Sequence, residues 1–375
     1  MSNNREVTPA AGLAESAPEE DGRIAVSYRY SQSLPEILQH LQASIILTTY
    51  QAGKVMLIGL DQGQVRVSYV DLEQPMGLAI GHDQIAIGGG ASVHFYHANH
   101  RAAGSVAADC AFDGCFVPNH SRHTGRILSH DVAWGHEGLW VVNTLFSCLC
   151  TLDSNHSFVP RWKPGFVTAL ADEDRCHLNG LAMESEVPRY VTALAATDTP
   201  NGWREHKASG GCLIDVHSGM ALVEGLSMPH SPRLRDGELF VLNSGHGELA
   251  RVDRNRGTLE TIERVPGFTR GLAFQGQFAF VGLSRIRESN VFGGLPIADQ
   301  PESLCCGVAI IDLVSGKNVA SFRFLSGVEE IFAVELIPGH LNVLLGGGHY
   351  DHRRQEVWVV PPSAAEIPSR LEPIR

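Results

Sequence analysis

Five polar residues, His130, Asn179, His230, Arg270 and Glu330, each stand directly ahead of a short apolar run, in HDVAW, NGLAM, HSPRL, RGLAF and EIFAV. Imidazoles and a carboxylate gathered at one point suit a divalent transition metal such as Zn²⁺, Fe²⁺, Mn²⁺ or Cu²⁺. His177 lies two residues before Asn179, hence on the same side of an extended strand. His130, His177, His230 and Glu330 are therefore the candidate metal ligands. Arg270 offers a planar fork of donors that matches a carboxylate or phosphate, so it is the candidate anchor for an anionic substrate. Glu330, with Arg270 beside it, is also the candidate catalytic residue, as ligand or general base.

These residues converge only if the chain repeats, and it does. With MGLAI at Met76, six runs recur across 254 positions in five steps, a mean of about 51 residues. Second strands follow as QIAIGGG, LWVVNT, YVTALAATD, LFVLNSG, FAFVGLS and LNVLLGGG. Met76 to Gly89, His130 to Asn143, His230 to Asn243 and Arg270 to Leu283 are each thirteen residues apart. Third strands tend to end in Asp and a small turn. This is the spacing of a four-stranded propeller blade, so the fold class is all-β, a single β-propeller. ILTTYQAGKVMLIGLDQGQVRVSYVDLEQP parallels the later part of a blade, without a first strand. Six first strands plus this extra unit favour seven blades, with six as the alternative. The ring is expected to be closed by N- and C-terminal strands sharing a sheet, which removes an open edge. LPEILQHLQ has apolar residues at helical spacing and predicts one short helix. No composition break divides the chain, which argues against two β-sandwich domains.

In a propeller the first strands line a central channel. The loops into them, and those after the second strands, share one face. Asn143, Asn179, Asn243, His246, Arg285 and His349 are accordingly candidate substrate contacts. His120 and His123, ahead of His130, are expected to reach the same rim. The histidines of HFYHANH alternate faces of an outer strand and do not converge. The Gly88 and Gly346 triplets lack the Lys and helix of a phosphate loop.

Composition bounds the rest. The net charge of -12 disfavours nucleic acid as a partner. No apolar run is long enough to span a bilayer, and the N-terminus reads as no signal peptide. The eight cysteines form no CxxC pair and read as reduced, buried thiols of a cytoplasmic protein. Residues 1–23 read as a disordered acidic tail, 24–361 as the propeller domain and 362–375 as a C-terminal extension.

LPEILQHLQASIILTTYQAGKVMLIG, QPMGLAIG, HDVAWGHEGLWVVNT, CHLNGLAM, MPHSPRL and PGFTRGLAF together resemble a bacterial family of conserved hypothetical propeller proteins. The likeness runs roughly from Ser33 to Pro361 and implies the fold without an activity. In architecture alone, a His-lined axis is similar to that of peptide-amidating lyases and carotenoid-cleaving oxygenases. The oxygenases need four axial histidines, and Asn179, Arg270 and Glu330 depart from that pattern.

The expected function is a metal-dependent hydrolase or lyase acting on a small polar or anionic molecule, or a peptide, at the channel face. An iron- or copper-dependent oxidoreductase on the same site is one alternative. A non-catalytic propeller binding a protein partner or carbohydrate is the other.

Overall fold

Four aspartates show how blades are cut from this sequence. Asp153, Asp215, Asp253 and Asp312 stand at or just past the ends of third strands. Each carboxylate accepts the backbone N–H groups two and three residues ahead: Asn155 and His156, His217 and Ser218, Asn255 and Arg256, Val314 and Ser315. A short polar side chain that bonds its own backbone makes a tight turn. The strand therefore reverses there, and four such hairpins recur around the molecule.

The computed structural model of the chain describes residues 26–99, 112–286, 293–299 and 301–346. The 1–23 and 362–375 segments lie outside these residues. The described strands form six sheets, numbered here as blades in chain order of their inner strands. The inner strands are Leu78–Ile80, Ser129–Gly135, Leu178–Glu184, Pro229–Arg235, Phe268–Gln275 and Ala333–Pro338. Blades 2, 3 and 4 are four-stranded antiparallel meanders. Blade 1 gains a fifth strand, Val343–Leu345, running parallel to Gly114–His123. Blade 5 gains Ser27–Tyr30, antiparallel to Lys317–Ser326.

Blade 6 corrects the count of seven to six. Its inner strand Ala333–Pro338 pairs with Ala43–Thr49 in a register from Ala43↔Pro338 to Thr48↔Ala333. Lys54–Asp61 and Gln64–Asp71 complete that sheet. The N-terminal unit without a first strand and the EIFAV run are two parts of one blade, and LNVLLGGG, read above as the second strand after EIFAV, instead supplies Val343–Leu345 to blade 1. Counting the two parts separately adds a blade that does not exist.

The predicted helix is Ser33–Leu41. Its buried Leu34 and Leu38 join Ile45, Ile58, Phe280 and Phe322, sealing blade 5 against blade 6. Seven cysteines lie among the described residues, all of them buried.

Close approach of the inner strands explains the GLA repeats. A Cβ on Gly77 would meet the Asp131 backbone of blade 2 at 2.8 Å. A Cβ on Gly271 would meet Val334 N of blade 6 at 2.5 Å, and its φ of +85° also excludes most side chains. Hydroxyls tie other junctions, blade 2 to 3, blade 6 to 1 and blade 4 to 5. Thr144 Oγ1 donates to Leu178 O, Thr48 Oγ1 donates to Met76 O, and Ser231 Oγ accepts Gly271 N–H.

One charged layer crosses the axis. Asp131 of blade 2 accepts Leu181 N–H of blade 3 at 3.0 Å and Arg233 of blade 4 at 2.9 Å. Arg233 also donates to Leu181 O and faces Glu335 of blade 6 at 3.6 Å. The Asp131 side chain is only 6% exposed, so its charge depends on these donors. Burial pushes the Glu335 carboxyl up to about 7, against the pull of Arg233.

Asp131→Ala strips Arg233 and the Leu181 N–H of their acceptor together. It is expected to cost about 3–5 kcal/mol in urea denaturation, as loss of one member of a buried pair does. Glu335 predicts a pH effect. A carboxyl raised from 4.5 to about 7 holds its proton more tightly when folded, so stability falls as pH rises through that window. The slope reaches about 1.4 kcal/mol per pH unit. Glu335→Gln should flatten it; an unchanged slope in denaturation curves from pH 5 to 8 would refute this.

Candidate functional site

His130 and His230, exactly one hundred positions apart in the chain, are held alike. Each ring Nδ1 meets the carbonyl two residues earlier: Leu128 O at 3.1 Å and Met228 O at 2.8 Å. Leu128 and Met228 both have positive φ, 54° and 45°, at the bend that enters the strand. A carbonyl acceptor requires the proton on Nδ1, which leaves Nε2 as a free acceptor. Burial pushes both imidazoles well below the usual histidine range, with the Arg270 charge acting in the same direction. Both rings are neutral at neutral pH.

His177 reaches the same place by another route. Its φ of 49° interrupts the strand, so pleat alternation does not set its direction. Its Nδ1 meets Asp174 Oδ2 at 2.8 Å, and Trp203 Nε1 donates to the same oxygen at 3.0 Å. The Trp203 ring packs on the imidazole at 4.3 Å. The His130 and His177 rings meet edge to face at 4.7 Å.

Arg270 and Glu330 complete the cluster. The guanidinium lies over the Phe332 ring, 3.3 Å from its centroid, and Phe332 touches His130 at 5.1 Å. Glu330 Oε1 is 3.7 Å from Arg270 Nη1, beyond hydrogen-bond length. Burial pushes Arg270 down to about 10, leaving it a full cation at neutral pH. Burial also pushes the Glu330 carboxyl up, opposed by Arg270 and the Gln51 N–H. Among the described residues, Glu330 Oε2 is buried with no hydrogen-bond partner.

The three asparagine amide oxygens are taken by the chain itself, while Nδ2 of Asn143 and of Asn179 is buried without a hydrogen-bond partner among the described residues. Asn143 Oδ1 accepts Phe146 N–H, capping its own loop. Asn243 bonds Ser227 N–H and Glu248, within blade 4. Asn179 accepts Thr192 Oγ1 in the adjoining strand of its blade. His246 ends a short 3₁₀ turn and is exposed. Arg285 holds Glu329 O through its backbone N–H. His349 lies outside the described residues. His120 is a correction: it sits on the outer strand Gly114–His123 of blade 1, stacked on Phe95 rather than at the rim. His123 is on that strand too.

Four residues of the site were absent from the sequence reading. Phe268 touches His230 at 5.5 Å and stands two before Arg270. Phe332 stands two after Glu330. The pleat rule applied to the ring positions points to both. Asp174 and Trp203 carry no comparable signal, because loop geometry brings them in. Among the described residues, no group of three or more His, Cys, Asp or Glu side chains is disposed to hold a metal ion. Nor is any described helix long and apolar enough to cross a membrane.

Comparison with known proteins adds the family. No curated protein matches the sequence. Among solved structures the chain is similar to a crystal structure of a nidogen/laminin complex, with TM-score 0.46 and 8% identity over 79% of this chain and 99% of that one. A protein of unknown function from Bacteroides caccae is similar with TM-score 0.46 and 12% identity, over the same shares. A family model described as a domain of unknown function, DUF4915, matches residues 32–344, and the chain belongs to that family.

Proposed function

We propose that the axial cluster binds a small anionic ligand, with Arg270 as its anchor. On this view the ring is closed by the sheet joining Ala333–Pro338 to the N-terminal strands, so all six inner strands face one axis. The observation that carries the proposal is the contrast between two arginines on that axis. Arg233 donates to Asp131, Leu181 and Pro232. Arg270, whose side chain is 12% exposed, stacks on Phe332 and meets Glu330 only at 3.7 Å. Among the described residues no acceptor stands within hydrogen-bond length of the Arg270 guanidinium, and burial disfavours its charge. A ligand carboxylate or phosphate would satisfy its donors in the bidentate manner guanidinium favours.

The histidines favour a second reading, a metal-dependent hydrolase or lyase. His130, His177 and His230 each have Nδ1 fixed by a carbonyl or carboxylate, the arrangement that orients an imidazole for metal binding through Nε2. His130 and His177 are the adjacent pair. The ligand's own oxygens would have to complete the shell. A metal would act as a Lewis acid or activate water. Elemental analysis of protein purified without chelator separates the two readings. About one equivalent of metal, lost in a His130→Ala, His177→Ala double variant, supports the second. Less than about a tenth of an equivalent removes it and leaves anion binding intact.

Arg270→Met tests the anchor through stability and binding together. If the cation serves a ligand, replacing it by an apolar chain of similar length, with Glu330→Gln alongside so that no carboxylate is stranded, should leave stability unchanged or raise it by about 1–4 kcal/mol. The same variant should lose every thermal shift that small anions produce in the wild type. A loss of several kcal/mol, or retained anion shifts, would make Arg270 structural and sink the proposal.

A further inference from the structure

We propose that the axial site takes small monocarboxylates in preference to dianions, and that Glu330 sets this choice. This rests on Arg270 being a ligand anchor and names the ligand class it serves. The charge balance of the site allows little more than one added negative charge. Arg270 already feels two carboxylates, Glu330 and Asp131. Asp131 is held by Arg233, whose other carboxylate neighbour is Glu335. His130 and His230 turn Nδ1 to the carbonyls of Leu128 and Met228, so those donors are spent on the chain and not offered to a ligand. A second ligand charge therefore meets Glu330 without a new cation to offset it. Like charges a few ångströms apart at a largely desolvated site repel by several kcal/mol.

The geometry agrees. Phe332 holds the guanidinium by its face, at 3.3 Å, so its N–H donors project from the edge. A planar two-oxygen group pairs along such an edge. With Nδ1 donating to a carbonyl, the Nε2 atoms of His130 and His230 are acceptors and do not attract anions. Trp203 on His177 and Phe268 on His230 put apolar surface beside the rings, which suits the non-ionic part of a small organic acid better than an inorganic ion.

Acetate and sulfate, titrated at matched ionic strength, test this. Long-range ¹H–¹⁵N spectra of the histidine rings report on His130, His177 and His230. Acetate should shift these signals saturably, with an affinity at least about tenfold above that of sulfate. Glu330→Gln should narrow the gap to about threefold or less, by strengthening sulfate binding. The wild-type ratio stands alone should the variant fail to fold. Equal wild-type affinities, or an undiminished preference in Glu330→Gln, overturn the selectivity and leave the anion site standing. No response to either anion overturns both.

Discussion

Desolvation at the axis is the constraint on which this structure depends. Six inner strands approach until a single Cβ at Gly77 or Gly271 would collide with the next blade. A side chain at the axis cannot keep a full shell of water, so its charge must be answered by another blade. Asp131 shows the rule satisfied: its oxygens collect donors from blades 3 and 4. The pair joins positions 102 residues apart, and each partner fixes the other. Such pairing adds little to net stability, since desolvation offsets most of the attraction. It specifies how the blades are arranged around the axis, because any other arrangement strands a charge.

The same constraint acts differently on the layer of His130, His230 and Arg270. Burial makes the two histidines neutral, and their Nδ1 protons are used by carbonyls of the chain that enters the strand. Arg270 cannot shed its proton at neutral pH, and among the described residues it has no acceptor at hydrogen-bond length. Glu330, with one oxygen unpartnered among the described residues, is in a similar position. One layer is thus internally matched and the other is not. That unmatched polarity is what the proposed anionic ligand would complete.

The repeat was legible because close packing leaves a trace in residue type. Glycine in MGLAI, NGLAM and RGLAF records where a neighbouring backbone comes near. Asp at the third-strand ends records the turns. His130 and His230 were legible for the same reason, at equivalent positions with the same spacing to Asn143 and Asn243. The asparagines themselves also serve the chain. They mark the ends of second strands, where an amide is as useful for capping a loop as for meeting a ligand. The blade count went astray because sequence order hides which strands share a sheet: EIFAV and ILTTY lie at opposite ends of the propeller region yet pair directly.

His177 shows the limit more sharply. The pleat rule placed it with Asn179, and it does reach the axial cluster, but not for that reason. Its backbone is left-handed, and its ring is directed by Asp174 and Trp203. Trp203 belongs to the loop after the second strand of blade 3, the segment type least constrained by the repeat. The scaffold residues of this site are therefore periodic, and the residues that orient them are not. Periodicity fixes where a side chain starts. The loops direct its far end, as Trp203 and Asp174 direct the His177 ring.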